Sequence, residues 1–295
     1  MKTLLWAVFA PGFFASDPVH TAAVIGGGAA IVSAVIGVFT VIRGQSFAGH
    51  ALADVSSAGG AASFLLGVSP MAGFLGMAVL AAGAMELFGI RRARERDLAT
   101  GIVLGAGLGL TSLLLYFDVT TRSTTGAAVA VMFGSMFAIP ASLIAPTLAV
   151  GCGVLLAVSV IYRPLLLSSL DPTLAEVQGI NVRLVGLLHL LMLAFAVTLS
   201  AMTIGAILST ALLIGPAAAA LRLAKRPGLA ICVAGLIGLG ASWGGILIAY
   251  DSYDWTAGHG WPVSFCIVTL IFAVYLLTGF PLWLARRSTS LSRRV

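Results

Sequence analysis

The sequence predicts an all-α, polytopic membrane protein with about eight or nine transmembrane helices, a short re-entrant helix and a short helix on the cytoplasmic face. Of the 295 residues, 60% are apolar and only 9% are charged, and the mean hydropathy is +1.09. This composition excludes an ordinary soluble protein, a disordered chain and a disulfide-stapled module. Apolar runs long enough to cross a bilayer follow one another along most of the chain. They lack the alternation of barrel strands, so the spans should be helices.

Nine of these runs are candidate crossings. They lie at residues 20–42, 46–67, 69–89, 98–117, 142–162, 182–202, 204–221, 228–250 and 261–285. A tenth run, 127–139, is too short to span and indicates a re-entrant or interfacial piece. The pairs Gly105/Gly109 and Gly240/Gly244 have the spacing that lets membrane helices approach closely.

The placement of basic residues predicts the orientation. With the amino terminus outside, fourteen of the sixteen Lys and Arg residues fall on the cytoplasmic side, and only Lys2 and Arg122 fall outside. This bias predicts a cytoplasmic carboxyl terminus. We therefore divide the chain into an extracytoplasmic interfacial segment (1–19), a transmembrane domain (20–285) and a basic cytoplasmic tail (286–295). Alternatively, the first residues are a cleaved signal peptide. The positive charge forms no stripe with interleaved aromatics, so no nucleic-acid partner is expected.

One intramembrane helix carries an ionisable pair. His50 and Asp54 lie four residues apart, so their side chains share one face of the second span, and Ser57 lies on the same stripe. Ionisable groups inside lipid are costly, which makes this pair a candidate functional site. In one interpretation, a charge-assisted hydrogen bond pins helices together. In the other, imidazole and carboxylate are two ligands of a divalent cation such as Zn²⁺ or Mn²⁺.

Other ionisable residues are weaker candidates. His189 in the sixth span could add a ligand, although a lone histidine there is more typical of packing. Glu86 lies at the cytoplasmic end of its helix and suggests a salt bridge. The acidic and histidine residues of the outer loops are expected to be solvated; they are His20, Asp118, Asp251, Asp254 and His259.

The segment between Arg163 and Arg183 predicts a short cytoplasmic helix. Asp171 followed by Pro172 is a good helix start, since the carboxylate caps and proline suits the first position. Gly179 is a good stop. Such a helix is either a plain connector or a surface that a separate motor subunit contacts.

Four blocks of the sequence carry a resemblance to a known family. They are Arg43–Gly60, Met132–Met136, Leu170–Asn181 and Gly205–Ala217. With them the chain resembles, from about residue 20 to 285, the permease subunits of zinc and manganese ABC importers, the ABC-3 family. Family members commonly carry Asp at the position of His50 and His at the position of Asp54, so the two residue types are exchanged here. The ligand set survives the exchange, which favours the metal interpretation of the pair.

The resemblance implies an importer that works by alternating access on zinc or manganese, with no tightly bound cofactor. It implies three protein partners: an extracytoplasmic metal-binding protein, a second copy of this chain, and a cytoplasmic ABC ATPase that contacts residues 165–181. The ATPase-coupling residues would be Asp171, Pro172, Ala175, Glu176 and Gly179. The chain has no phosphate-binding loop ending in Gly-Lys-Ser/Thr, so it is not expected to be an enzyme.

Two rival functions stay open at this point. A siderophore or cobalamin type of ABC permease would share the multi-helix form without needing a His/Asp pair on one helix. An ion-coupled secondary transporter would use His50 and Asp54 as a proton relay. The choice among zinc, manganese and iron also stays open, because one imidazole and one carboxylate suit all three.

Overall fold

The computed structural model describes residues 12–87, 93–122, 125–255 and 260–292. Within these ranges the chain is helical and contains no strand. The α-helices are α1 (Asp17–Ile42), α2 (Ser46–Leu66), α3 (Pro70–Leu87), α4 (Ala93–Arg122), α5 (Thr125–Phe133), α6 (Ile144–Val160), α7 (Tyr162–Leu170), α8 (Pro172–Val177), α9 (Val182–Ile204), α10 (Ala206–Leu223), α11 (Pro227–Trp255) and α12 (Val263–Ser292). Short 3₁₀ turns occur at Phe13–Ala15, Met136–Ala138 and Ala141–Leu143.

The nine predicted crossings are all helices, which confirms the all-α membrane fold. By length and composition, α1, α4, α6, α9, α10 and α11 are able to cross a membrane. Shorter apolar stretches, Pro70–Glu86 and Val263–Gly279, form most of α3 and the first half of α12. The last of the nine predicted crossings, α2, has 21 residues and carries the polar face with His50 and Asp54. The predicted re-entrant run corresponds to α5 and the 3₁₀ turn that follows it.

The bundle is built around α1. This helix packs against α6, α9, α10 and α11, and most of its surface is buried. The candidate helix α2 packs chiefly against α3 and α4, and also contacts α9 and α10. By contrast, α4 and α6 leave much of their surface exposed, as expected for helices that face lipid. The site-bearing helix is therefore held on several sides.

Of the four glycines that the sequence suggested for close approaches, Gly244 makes one within the chain, since a Cβ there would lie 3.0 Å from Cδ1 of Leu270 in α12. A Cβ added at Gly105, Gly109 or Gly240 would meet no other atom within 4 Å, so the predicted close packing at those positions is wrong. Other glycines make tighter contacts, and two of these contacts join α2 to its neighbours. Gly59 lies against the backbone of Gly73, and Gly107 against Val55. On α4, the contact with α2 is made by Gly107, which lies between the two glycines that the sequence suggested, Gly105 and Gly109.

The turn between α9 and α10 is buried inside the bundle. Residues 203–206 are all buried, and Gly205 has φ 87° and ψ 158°. Leu193 of α9 and Thr40 of α1 both lie within 4 Å of the position that a Cβ on Gly49 would take. Ser200, later in α9, forms a hydrogen bond with Ser33, earlier in α1, so α9 runs antiparallel to α1. If the same pairing of residues continues, the turn lies beside about residue 29 of α1. That position is roughly 18 Å along the helix axis from the start of α1, at 1.5 Å per residue. The apolar runs alone predict two separate spans on either side of this turn, at residues 182–202 and 204–221, and do not indicate that the turn is buried.

Several predicted features lie outside the described residues. They are residues 1–11 of the interfacial segment, Arg91, Arg92, His259 and residues 293–295 of the basic tail.

Candidate functional site

The site lies on the first three turns of α2. The Nε2 atom of His50 is 3.5 Å from Oδ2 of Asp54, one helical turn further along the same face. The Asp54 side chain is almost completely buried, at 3% exposure, whereas the imidazole is 39% exposed. The pair thus consists of a partly exposed imidazole beside an enclosed carboxylate.

The separation of the two ligand atoms suits a single metal ion. A tetrahedral ion with Zn–N and Zn–O distances near 2.1 Å would hold two ligand atoms about 3.4 Å apart. The observed 3.5 Å requires little rearrangement to accept such an ion. In the described part of the chain, however, no group of three or more His, Cys, Asp or Glu side chains could hold a metal. The pair offers two candidate ligand atoms, whereas a tetrahedral zinc ion has four ligands.

Neighbouring helices fix the surroundings of the pair. Oγ1 of Thr210, in α10, lies 2.9 Å from Nδ1 of His50. The Ser57 hydroxyl donates to the backbone oxygen of Asp54 at 2.6 Å and lies 2.9 Å from Oγ1 of Thr111 in α4. Ser57 therefore links α2 to α4 in this structure, and the hydroxyl nearest to the imidazole comes from α10.

His189 occupies a separate position. Its ring is completely buried in α9, and among the described residues neither ring nitrogen has a hydrogen-bond partner. The guanidinium of Arg43 donates instead to the hydroxyls of Ser168 and Ser169 in α7, at 3.2 and 3.1 Å. His189 does not join His50 and Asp54 in one cluster of metal-binding side chains among the described residues. Its role as an additional ligand stays a prediction.

The structure confirms the expected environment of Glu86 and contradicts that of Asp118 and Asp251. Glu86 accepts a hydrogen bond from Nε of Arg183 at 3.2 Å, which confirms the expected salt bridge and identifies the partner as a residue on α9. Asp118 and Asp251 are buried rather than solvated, at 0% and 7% exposure. Both lie inside long helices, α4 and α11, that continue beyond the apolar runs seen in the sequence. The expected solvation of these two residues is therefore wrong.

The cytoplasmic segment has the predicted helix. Oδ1 of Asp171 accepts a hydrogen bond from the Leu174 N–H at 3.0 Å, and Pro172 occupies the first position of α8. At the other end Gly179 has φ 78°, and the Ile180 N–H donates to the Ala175 oxygen, which closes the helix. Ala175 is buried and anchors α8, whereas Glu176 is exposed. The helix α7 that precedes it was not predicted as a separate element.

Apolar side chains of α8 are also exposed. Val177 is 80% exposed and Leu174 is 44% exposed. These side chains project from a six-residue helix that is too short to span a membrane. Exposed apolar residues clustered on such a helix are typical of a protein interaction surface.

No pattern in the sequence indicates that Thr210 and Thr111 lie next to the site. Both are threonines in apolar helices, far from α2 along the chain, and no local spacing connects them to it. Only the packing of α2 against α4 and α10 brings these hydroxyls to the pair.

A bundle of apolar helices able to cross a membrane, with a polar pair on an inner helix and a capped helix between two spans, defines an integral membrane protein. The chain belongs to the ABC 3 transport family, whose family model matches residues 16–279. It is 30% identical over 258 residues to the manganese import system permease protein ScaB of Streptococcus gordonii, covering 88% of this chain and 90% of ScaB. It is 27% identical over 233 residues to the high-affinity zinc uptake system membrane protein ZnuB of Haemophilus influenzae, covering 77% of this chain and 86% of ZnuB.

The fold is also found in a solved structure. PsaBC from Streptococcus pneumoniae in complex with Fab contains a chain that superposes with a TM-score of 0.78 and 27% identity, covering 92% of this chain and 95% of that one. The similarity therefore extends over nearly the whole bundle.

Proposed function

We propose that this chain is the membrane-spanning permease subunit of an ATP-binding-cassette importer for a divalent transition-metal ion, manganese or zinc. The observation that carries the proposal is the His50–Asp54 pair, whose ligand atoms are 3.5 Å apart on the inner helix α2. The names of the relatives ScaB and ZnuB, which refer to manganese import and zinc uptake, support these two cargoes. The metal ion is the transported substrate, and no tightly bound cofactor is part of the proposal.

In the proposed mechanism the pair is a waypoint in alternating access. In the proposed orientation Asp54 lies one turn nearer the outer face than His50, so the buried carboxylate first neutralises part of the charge of the incoming ion, and the exposed imidazole of His50 then binds it. Two ligands hold the ion less firmly than a complete shell, so it is able to leave when the opposite side opens. Water, the delivering protein or the second copy of the chain supplies the remaining ligands. His189 and Ser57 are further candidates on the path.

The cytoplasmic segment 165–181 is the proposed contact for the ATPase subunit. Exposed Leu174 and Val177 give α8 an apolar surface, and exposed Glu176 adds a charge beside it. The capping contact of Asp171, the anchor of Ala175 and the turn at Gly179 hold this surface in place, so motion of the ATPase would be transmitted to α7 and α9. The other proposed partners are an extracytoplasmic metal-binding protein and a second copy of the chain.

The proposed setting is the bacterial plasma membrane, with the basic tail 286–295 in the cytoplasm and residues 1–19 on the outer face. This orientation rests on the distribution of Lys and Arg. Of the rival functions, a secondary transporter would need no ATPase, and a siderophore or cobalamin permease would not need a two-ligand metal site. Membership of the ABC 3 transport family favours the importer over both.

The proposal is tested by elemental analysis of cells in which the reading frame has been deleted and then restored. We expect total manganese or zinc to fall in the deletion strain and to recover with the wild-type chain, but only when the partner ATPase is present. Unchanged contents of both metals under metal limitation would overturn the proposal. Recovery without the ATPase would indicate a secondary transporter instead.

A further inference from the structure

A threonine on a different helix contacts the side of the imidazole that faces away from Asp54. Thr210 Oγ1 lies 2.9 Å from Nδ1 of His50, whereas Nε2 of the same ring points to Asp54 Oδ2 at 3.5 Å. A hydrogen bond at one nitrogen of a ring limits its rotation and determines which nitrogen faces the pocket. The two contacts together define one orientation of the ring.

The Thr210 hydroxyl differs from other hydroxyls of these helices. Thr40, Thr111 and Ser209 each donate to a backbone oxygen three or four residues earlier in their own helix. In the part of the chain that the structure describes, the only hydrogen bond of the Thr210 side chain is the one to His50. A threonine in a membrane helix normally donates to a backbone carbonyl oxygen of its own helix. The Thr210 hydroxyl instead contacts a side chain on a different helix.

We propose that Thr210 is a positioning residue that orients the His50 imidazole, with Nε2 toward Asp54, and thereby sets how well the permease accepts zinc relative to manganese. The inference rests on the proposed function, because it assigns a role to Thr210 at the same metal waypoint. Histidine ligands of metals almost always use their second nitrogen for a hydrogen bond of this kind, and loss of that partner typically costs 10- to 100-fold in affinity or activity.

A hydroxyl suits this role because it is both a donor and an acceptor. Without metal, Nε2–H faces the Asp54 carboxylate, and the Thr210 hydroxyl donates to the unprotonated Nδ1. With metal, the Nε2 lone pair binds the ion, the proton resides on Nδ1, and the same hydroxyl accepts it. Thr210 therefore supports the ring in both states without moving, which a purely donating or purely accepting side chain would not do.

The metal preference follows from the two ligand types. Imidazole contributes more to zinc binding, whereas carboxylate oxygen suits manganese. If the ring loses its orientation, Asp54 remains and His50 is weakened as a ligand. Zinc transport should then decrease more than manganese transport.

The test measures uptake of ⁶⁵Zn²⁺ and ⁵⁴Mn²⁺ by cells that carry the complete importer with a variant permease. Thr210→Val keeps the shape but removes the hydroxyl, and we expect it to lower zinc uptake about tenfold or more and to reduce the ratio of zinc to manganese uptake. Thr210→Ser should restore both. Ser209→Ala is the matched control, since it removes a hydroxyl from the preceding position that bonds only its own helix. The ratio is insensitive to the amount of permease in the membrane.

The outcomes separate this inference from the proposed function. If His50→Gln reduces uptake but Thr210→Val leaves both uptake and ratio unchanged, Thr210 has no positioning role and the waypoint stands. Equal losses of both metals in Thr210→Val, or failure of Thr210→Ser to restore the ratio, would indicate a packing role and overturn the inference. If His50→Gln itself has no effect on either metal, the proposed waypoint fails.

Discussion

Gly134 and Gly205 meet backbone to backbone where two helices are interrupted. A Cβ on Gly205 would lie 2.4 Å from the carbonyl carbon of Phe133, and one on Gly134 would lie 2.6 Å from that of Ile204. Both residues have positive φ, 77° and 87°. The carboxyl-terminal end of α5 therefore packs against the buried turn between α9 and α10. Because α10 carries Thr210, this contact fixes the helix that reaches His50.

We predict that Gly205→Ala destabilises the protein by about 2 kcal/mol or more, since alanine is strained at this φ and ψ and its Cβ has no space. The melting temperature of the purified permease measures the effect. Gly105→Ala is the control, because a Cβ there meets nothing within 4 Å and alanine favours a helix. Equal melting temperatures for the two variants would contradict the close contact at Gly205.

We predict that His50→Ala and Asp54→Ala each lower uptake of the transported metal about tenfold or more, because each removes one of only two ligands. Asp54→Asn, which keeps the size of the buried side chain, should have a similar effect. Uptake is measured with radioactive metal and related to the amount of permease in the membrane. His20→Ala is the control, because that exposed imidazole bonds only the Phe14 oxygen in its own segment. Normal zinc and manganese uptake in the site variants would exclude the waypoint.

Exchanging the pair tests whether the set of ligands or their order matters. The double variant His50→Asp with Asp54→His keeps one imidazole and one carboxylate one turn apart, and we expect it to retain measurable transport. His50→Asp alone gives two carboxylates and should shift preference toward manganese, whereas Asp54→His alone gives two imidazoles and should shift it toward zinc. The ratio of the two uptakes is the measurement. Identical ratios in the two single variants would show that the pair does not select the metal.

We predict that Asp171→Ala reduces transport without removing the permease from the membrane. The substitution removes the cap of α8, at a cost of about 1 kcal/mol, and loosens the proposed ATPase contact. Asp171→Ser keeps a capping oxygen and should preserve transport. Glu176→Ala alters only the exposed surface, and we expect it to uncouple ATP hydrolysis from uptake. The measurement is metal transported per ATP hydrolysed in proteoliposomes. A normal ratio in both alanine variants would make α8 a plain connector.

Local chemistry made some elements predictable from the sequence. The start of α8 at Pro172 and its closure at Gly179 depend on residues within a few positions of each other, so a cap, a proline and a glycine were sufficient. The pairing of His50 with Asp54 is equally local, because two residues four apart on a helix must share a face.

Other elements depend on neighbours that are distant in sequence. The length of α9 and α10 agreed with two ordinary spans, but their turn is buried by α5, and nothing near Gly205 in the sequence indicates that cover. Asp118 belongs to the same class: it follows an apolar run and was expected to be solvated, yet packing encloses it. The choice of Gly107 over Gly105 as the contact to α2 depends in the same way on how α4 is rotated.

The sequence by itself determined that this is a helical membrane protein and which two side chains form its intramembrane pair. Hydropathy identifies a span from about 20 consecutive residues, and helical spacing relates residues one turn apart, so both depend only on neighbours in the sequence. Only the tertiary structure decided what surrounds that pair. The packing of α2 against α4 and α10 places Ser57 against Thr111 and brings Thr210 to His50, because a hydroxyl acts at the distance of a hydrogen bond and the chain must fold to bring it there.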